Sequence, residues 1–284
     1  MFTLREILTR STEYLKKNGI EGARLDGELL VAHVLGLSRL KLYLQLERPL
    51  EETELAAARR LLWQRAKKRL PVAYLLGKKE FYGLDFFVDE SVLIPRPETE
   101  LLVERVLEFA PGAQTALEVG VGSGAIAVSL AKALPKLQVW ATDLSEQALA
   151  VAQKNCLLHQ VTGQVHLYKG SLGAPLEELA GSFEVVVSNP PYIPKGELAA
   201  LAPELKCEPQ LALDGGADGL AVIRPLVRQA FSFLSPGGLL ALEIGSGQGQ
   251  AVTGIAQEAG FADSQCQSDY AGLERLFFAW RPGK

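Results

Sequence analysis

Residues 183–194 read FEVVVSNPPYIP. A run of apolar β-formers stops on Ser188 and Asn189, then on Pro190, Pro191 and Tyr192. Two adjacent prolines donate no backbone hydrogen bonds, so a central strand cannot continue through them. The tip offers acceptors and a flat ring instead. Asn189 carries a side-chain carbonyl, Pro190 a backbone carbonyl with no competing N–H, Pro191 a fixed turn and Tyr192 an aromatic face. That set suits an –NH2 group on a planar system: two acceptors take its N–H bonds while the planar part rests on Tyr192. Such a nitrogen is a weak nucleophile because its lone pair is delocalised. Acceptors aimed at its N–H bonds favour a more tetrahedral nitrogen, and in-line attack on a sulfonium methyl is the expected chemistry. Positioning supplies up to roughly 7–11 kcal/mol in ideal cases. No dedicated base is needed, since the alkylated nitrogen sheds its proton readily.

A second chemical stretch lies upstream. LEVGVGSGAIAVSL places Gly120, Gly122 and Gly124 directly between a strand and a helix. Alternate glycines let the chain turn tightly and bring a ligand close to the backbone. The helix that follows presents free N–H groups at its start. Asp143 ends the next strand, 19 residues beyond Gly124, where a carboxylate can accept from ribose hydroxyls. Together these point to an adenosine-containing cofactor. The spacing is G-x-G-x-G rather than G-x-G-x-x-G, which leans away from a dinucleotide.

The elements that must hold these stretches follow from periodicity. From residue 99 the chain alternates helix and strand: TALEVG, QVWATD, QVHLYKG, FEVVVSN and GGLLALEIG are strands, with amphipathic helices between most of them. Alternation implies a parallel sheet covered on both faces, with ligands at the carboxyl edge of its strands. The last two strands, near 263–268 and 274–280, have no helix between them, so one of them runs antiparallel. Residues 1–70 read as several short helices. Leu4, Ile7, Leu8 and Leu15 share a face, Thr3 can cap the first helix and Gly19 ends it. Residues 71–98 mix aromatic and β-branched residues with Gly and Asp, as a β-hairpin linker and an irregular loop would.

Composition limits the classes. The chain has 284 residues, 48% of them hydrophobic and 22% charged, with a net charge of −4. Residues 1–80 hold 16 Lys/Arg against 10 Asp/Glu, whereas residues 81–284 hold 13 against 23. A basic front (+6) and an acidic body (−10) fit two domains with different partners, or two sets of solvated helix faces. Cys156, Cys207 and Cys266 are far apart, and His33, His159 and His166 have no metal-ligand spacing. All six read as structural, in a reducing compartment. No metal is expected. The first residues lack the apolar core of a signal peptide, and no apolar run is long enough to span a membrane.

PVAYLLGKKEFYGLDFFVDESVLIPRPETELLVE, LEVGVGSGAIAVSLA, SNPPYIP, EPQLALDGGADGL and LLALEIGSGQ together resemble the HemK/PrmC family, the N(5)-glutamine methyltransferases of peptide chain release factors. The resemblance covers nearly the whole chain. Its NPPY is shared with adenine-specific nucleic-acid methyltransferases, but VLIPRPETE is much more specific to the glutamine enzymes. It implies a Rossmann-like, seven-stranded α/β domain dependent on S-adenosylmethionine over 99–284. A helical substrate-docking domain over 1–75 and a β-hairpin linker over 76–98 would precede it. It implies methyl transfer to the glutamine amide of a Gly-Gly-Gln motif, with S-adenosylhomocysteine as the other product. Carried over by position, Gly120, Val121, Gly122, Ser123 and Gly124 match the cofactor loop and Asp143 the ribose-binding acid. Asn189, Pro190, Pro191 and Tyr192 match the catalytic substrate-amide site, with Asn189 also near the methyl end of the cofactor. Arg96, Glu98 and Thr99 match a loop that folds over the cofactor, and Phe81 an aromatic of the linker. Two departures stand out. Glu118 occupies a position that is usually Asp, and Gly170-Ser171 replace an acidic and an aromatic residue near the adenine. Ser171 can still reach an adenine edge.

Three other readings compete. An adenine-N6 methyltransferase could use the same Asn-Pro-Pro-Tyr, yet the chain has neither a large target-recognition insertion nor a strongly basic groove. A binding adaptor with a degenerate fold leaves the intact motifs unexplained, and a dehydrogenase leaves NPPY unexplained. The expectation is a cytoplasmic, monomeric enzyme whose partner is a release factor, without a membrane or a stable nucleic-acid partner.

Overall fold

The structure is a computed structural model that describes residues 2–283. The chain forms two compact units. One holds the residues up to Lys78 together with Ala202–Cys207; the other holds Lys79–Leu201 and the chain from Glu208 onward.

The first unit contains helices α1 (Leu4–Lys17), α2 (Ala23–Val34), α3 (Arg39–Tyr43), α4 (Glu52–Lys67) and α5 (Val72–Leu76). Thr3 caps α1 reciprocally with Glu6: the Thr3 hydroxyl accepts from the Glu6 N–H, and the Glu6 carboxylate accepts from the Thr3 N–H at 2.8 Å. Gly19 (φ +74°) turns the chain away beyond it. Two apolar clusters fill the unit, one around Leu4, Val31, Leu42 and Leu55, the other around Leu15, Ile20, Leu30 and Leu62. Residues 202–207 join it through charge. Arg65, largely buried, donates to Asp26 at 2.7 Å and to Glu204 at 2.8 Å, and Arg69 pairs with Glu204 at 2.8 Å. Helix α5 starts the stretch whose composition suggested a hairpin. Its five residues are too few to display a helical period, and Gly77 (φ +68°) closes it.

The hairpin follows as β1 (Lys78–Phe81) and β2 (Leu84–Phe87). Tyr82 (φ +50°) and Gly83 (φ +73°) form its tip, and two positive φ values in a two-residue loop match the right-handed twist of the strands. Phe81 is fully buried against Phe86, ring centroids 6.0 Å apart, so it serves the core. Beyond the hairpin come α6 (Pro97–Phe109), β3 (Thr115–Val119), α7 (Ala125–Ala133), β4 (Gln138–Asp143), α8 (Glu146–Leu158), β5 (Val165–Lys169) and β6 (Phe183–Ser188). The chain ends with α9 (Ile223–Phe233), β7 (Leu234–Glu243), α10 (Gly249–Ala259), β8 (Asp263–Ser268) and β9 (Glu274–Trp280).

The seven strands lie in the order β5-β4-β3-β6-β7-β9-β8. All run parallel except β9, which pairs antiparallel with both β7 and β8. The expected Rossmann-like methyltransferase sheet is therefore present, with its one reversed strand at the end lacking a helix. Alternate residues face opposite sides. Ala116, Val185, Val187 and Ala241 meet α6, α7 and α8, while Leu117, Val186, Leu240 and Leu242 meet α9 and α10. Strand order reverses between β3 and β6, because β3 leads outward to β4 and β6 leads the other way to β7. A crevice opens at the carboxyl ends of two strands related this way.

Candidate active site

A pocket of about 620 Å³ opens at that crevice. Its wall includes the loop after β3, the ends of β4 and β6, the start of α6 and the loop over 209–212.

The β3 side is made largely of backbone. Gly120 (φ +77°) and Gly122 (φ +53°) adopt left-handed conformations that side chains oppose. A Cβ on either would meet nothing within 4 Å, so their α-carbons border open space. The loop is held from β4. The N–H groups of Gly120 and Val121 donate to the Thr142 carbonyl at 2.9 and 3.0 Å. Asp143 accepts from the Gly122 N–H at 2.9 Å with one oxygen and from the Ser145 N–H at 2.8 Å with the other. Val121 and Ser123 also line the pocket. Gly124 does not: its α-carbon faces α8, where a Cβ would press on Ala152 at 3.4 Å. The third glycine, expected at the cofactor, serves helix packing.

Glu118 is the electrostatic anomaly. It lies buried one residue before the end of β3, yet one carboxylate oxygen has no hydrogen-bond partner in the protein. Burial raises its pKa well above the ordinary carboxylate value; the Ala127 N–H in the first turn of α7 opposes this and Asp143 adds to it. Buried polar atoms are nearly always paired, so an orphaned carboxylate oxygen on a pocket wall marks a place for a ligand N–H or O–H. Gly170, Ser171 and Leu172 lie on the same wall. A Cβ on Gly170 would sit 2.1 Å from Pro175 Cγ. Pro175 thus fills the space that a side chain at 170 would need.

The β6 side is made of side chains in a closed network. Ser188 anchors the strand end by donating to the Val119 carbonyl at 2.6 Å. Asn189, Pro190 and Pro191 then line the pocket. The Asn189 Nδ2 donates to Thr99 Oγ1 at 3.1 Å, and the Thr99 hydroxyl donates to Glu243 at 2.6 Å. The Tyr192 hydroxyl donates to the other Glu243 oxygen at 3.1 Å. Tyr192, expected to carry the substrate on its ring, is not among the residues that line this pocket. The partly buried ring packs against the α9/α10 core layer, and its hydroxyl finds an acceptor in Glu243. Burial and the Glu243 charge push its pKa above the usual phenol value. Burial also raises Glu243, against the hydrogen bonds from Thr99 and Tyr192 and the Arg275 charge.

Two loops brace this arrangement. Glu208, buried, pairs with Arg96 at 2.5 Å and accepts from the Ile94 N–H at 3.2 Å. Arg96 borders the pocket, but that guanidinium bond is made to protein. Downstream, Gly215 and Gly219 lie so close to Tyr192 that added Cβ atoms would fall 2.8 and 2.4 Å from its backbone. Gln248 completes the clamp by donating to the Tyr192 carbonyl at 3.0 Å. The segment over 208–216 thus fastens the chain on either side of the pocket.

Residues 6–77 match the PrmC N-terminal domain and residues 97–210 the methyltransferase small domain. A release factor glutamine methyltransferase of Geobacter sulfurreducens is 46% identical over 277 residues, covering 97% of this chain and 96% of its own. One from Moorella thermoacetica is 45% identical, covering 98% and 99%. The chain belongs to the release factor glutamine methyltransferase family. Among solved structures, a methyltransferase from Pyrococcus furiosus shares the fold, with a TM-score of 0.53 and 21% identity over 79% of this chain and 97% of that one. The catalytic domain of hMettl16, in complex with the MAT2A 3′UTR hairpin 6, shares it with a TM-score of 0.57 and 12% identity, covering 81% and 82%.

In this methyltransferase the structure gathers Glu118, Gly120, Val121, Gly122, Ser123, Asp143, Ser171, Asn189, Pro190, Pro191 and Arg96 around one pocket, and leaves Gly124 and Tyr192 behind its wall. Glu243, Glu208 and Gln248 were not expected there. A signal for Glu243 does exist: it is the lone acid in the apolar run LLALEIG, and a charge in a central strand needs a partner. Among the described residues, no cluster of His, Cys, Asp and Glu could hold a metal ion. No helix of the described residues is long and apolar enough to cross a membrane.

Proposed function

We propose that this methyltransferase moves a methyl group from S-adenosylmethionine to the side-chain amide nitrogen of the glutamine in the Gly-Gly-Gln motif of class 1 release factors. The observation that carries the proposal is the orientation of Asn189. Its Nδ2 is committed to Thr99, so Oδ1 is the atom left to meet an acceptor at the pocket. An amide –NH2 has two N–H bonds to place. Asn189 Oδ1 takes one and the Pro190 carbonyl takes the other, and Pro191 keeps the two acceptors in fixed relation. A primary amide held this way keeps its nitrogen lone pair free for in-line attack.

The remaining pocket residues suit S-adenosylmethionine, which when bound supplies an electrophilic methyl on a sulfonium and leaves as a neutral thioether. Gly120 and Gly122 let backbone approach it closely. The unpartnered Glu118 oxygen and the remaining lone pairs of Asp143 accept from its amino and hydroxyl groups. Ser171 and Leu172 border the adenine. Arg96 works through Glu208 to hold the 94–96 loop at the pocket rim. The amide nitrogen would gain the methyl group from the sulfonium and pass one N–H proton to water, so the chain needs no base of its own to receive it. Docking of the folded release factor falls to the basic helical unit. The family relatives are named for release factors, and such a substrate goes with a cytoplasmic site of action.

The test offers purified enzyme and radiolabelled S-adenosylmethionine to three acceptors. They are an intact release factor, the same factor with its motif glutamine replaced by alanine, and adenine-containing DNA. Label on the intact factor alone is expected. Label on the alanine variant or on DNA would overturn the proposal.

A further inference from the structure

We propose that Glu243, acting through Thr99, is the positioning residue that makes Asn189 present its oxygen rather than its –NH2 to the acceptor amide. The inference rests on the reading of the Asn189 side as the glutamine site.

The need for such a device follows from the chemistry of asparagine. The two ends of a carboxamide have nearly the same shape, so packing alone cannot choose between them. Only the surrounding hydrogen bonds can. Turned the wrong way, Asn189 would aim N–H bonds at the N–H bonds of the acceptor and repel it. Its immediate partner does not decide the matter either, because the Thr99 hydroxyl can donate or accept. The choice is made one step further back. When ionised, Glu243 can only accept, and it lies 2.6 Å from Thr99 Oγ1. It takes the single Thr99 proton. Thr99 is left with lone pairs, and Asn189 must turn Nδ2 toward it, at 3.1 Å. The Tyr192 hydroxyl occupies the other Glu243 oxygen, so neither oxygen is free to act otherwise.

The charges around Glu243 are divided. Arg275, from β9, favours the ionised form, as do the hydrogen bonds from Thr99 and Tyr192; burial and Glu98, from the first turn of α6, oppose it. Burial, the largest influence, holds the Glu243 pKa above the usual carboxylate value, a cost that mere packing would not require, since a glutamine or methionine would serve as well. If Glu243 becomes protonated it can donate to Thr99, the Thr99 proton then turns to Asn189, and the amide flips. Turnover therefore depends on Glu243 staying ionised.

The experiment is a double-substitution cycle in the full-length enzyme, with release-factor methylation as readout. Thr99→Val and Glu243→Gln should each lower kcat about 10- to 100-fold while leaving the dissociation constant of S-adenosylmethionine unchanged. In an Asn189→Ala background neither should lower kcat further, since both act through that amide. Effects that multiply instead, or a weakened affinity for S-adenosylmethionine as large as the kcat loss, would overturn the inference. Wild-type kcat should fall on acidification above the ordinary carboxylate range, and this limb should vanish in Thr99→Val. A limb that persists there contradicts the assignment. A readout independent of activity comes from the Asn189 side-chain 15N–H signals, assigned by their loss in Asn189→Ala. One proton should be protected from exchange in the wild type and unprotected in Thr99→Val. If wild-type enzyme labels no glutamine, the functional reading fails on its own, and these signals alone decide whether Thr99 holds the amide; equal exchange in both proteins says that it does not.

Discussion

At the end of β3 the pocket wall is backbone and carboxylate, with one buried oxygen of Glu118 lacking any partner. At the end of β6 it is an amide and two prolines, and behind them Thr99 and Tyr192 both donate to Glu243 while Thr99 holds the Nδ2 of Asn189. The difference matches what the proposed function asks of each side. A cofactor that binds and leaves at each turnover can finish the hydrogen bonds of an incomplete wall, so binding and stability are coupled on the β3 side. A weakly nucleophilic acceptor gains most from groups that do not reorganise when it arrives, so the β6 side is complete beforehand. One side invites a ligand; the other orients one.

Substitutions on the two sides should therefore separate. The largest effect away from Asn189 is expected for Asp143→Ala. It removes the acceptor for the Gly122 and Ser145 N–H groups, as well as the contact to the cofactor that we propose. Calorimetric affinity for S-adenosylmethionine should fall about 100-fold, the loss of roughly two charge-assisted hydrogen bonds, while kcat at saturating cofactor changes only a few-fold. A kcat loss as large as the affinity loss would erase the division between the sides.

Glu118→Gln should stabilise the ligand-free protein by about 1–3 kcal/mol near neutral pH, and should weaken S-adenosylmethionine binding. The sign follows from linkage. The pKa of Glu118 is raised in the folded state above the 4.5 of an ordinary glutamate. Between those two values the folded protein binds a proton that the unfolded chain has released, so stability falls as pH rises through the window. Below pH 4.5 the cost is absent, and above the folded-state pKa it is complete. Melting temperatures across pH should show this slope in the wild type and a shallower one in Glu118→Gln. Equal slopes would mean that Glu118 is compensated without a ligand.

Tyr192→Phe should have the smallest effect. It deletes one of the hydrogen bonds to Glu243 and leaves Thr99 in place. A net loss of about 0.5–1.5 kcal/mol corresponds to a few-fold drop in kcat, with cofactor affinity unchanged. A loss as large as that of Asn189→Ala would return the ring to direct contact with the substrate, as the bare motif suggested.

These contrasts also show what a sequence reveals. The strands, the longer helices and the presence of one reversed strand at the end of the chain were legible because each is a local pattern of period two or 3.6 or the gap between two such patterns. The β3 and β6 tips were legible because consecutive residues build them. The supporting network was not, since Thr99 and Glu243 are 144 positions apart and Arg96 and Glu208 are 112 apart. No local window contains either pair. Gly124 and Tyr192 show the converse limit. Each belongs to a chemical motif by its neighbours, but Ala152 and Glu243 decide where its atoms face. Gly170 is similar: it reads as a missing side chain until Pro175, five residues on, is seen filling the space.

The most direct test of the central claim, that the β6 tip orients the acceptor amide while the β3 tip holds the cofactor, is the Asn189→Ala enzyme. Single-turnover methylation of a release factor and equilibrium binding of S-adenosylmethionine should be measured on the same preparation. The expected result is a loss of about 100-fold or more in the rate of transfer, with the dissociation constant of S-adenosylmethionine within a few-fold of wild type. Unchanged transfer, or a loss accounted for entirely by weaker cofactor binding, would contradict it.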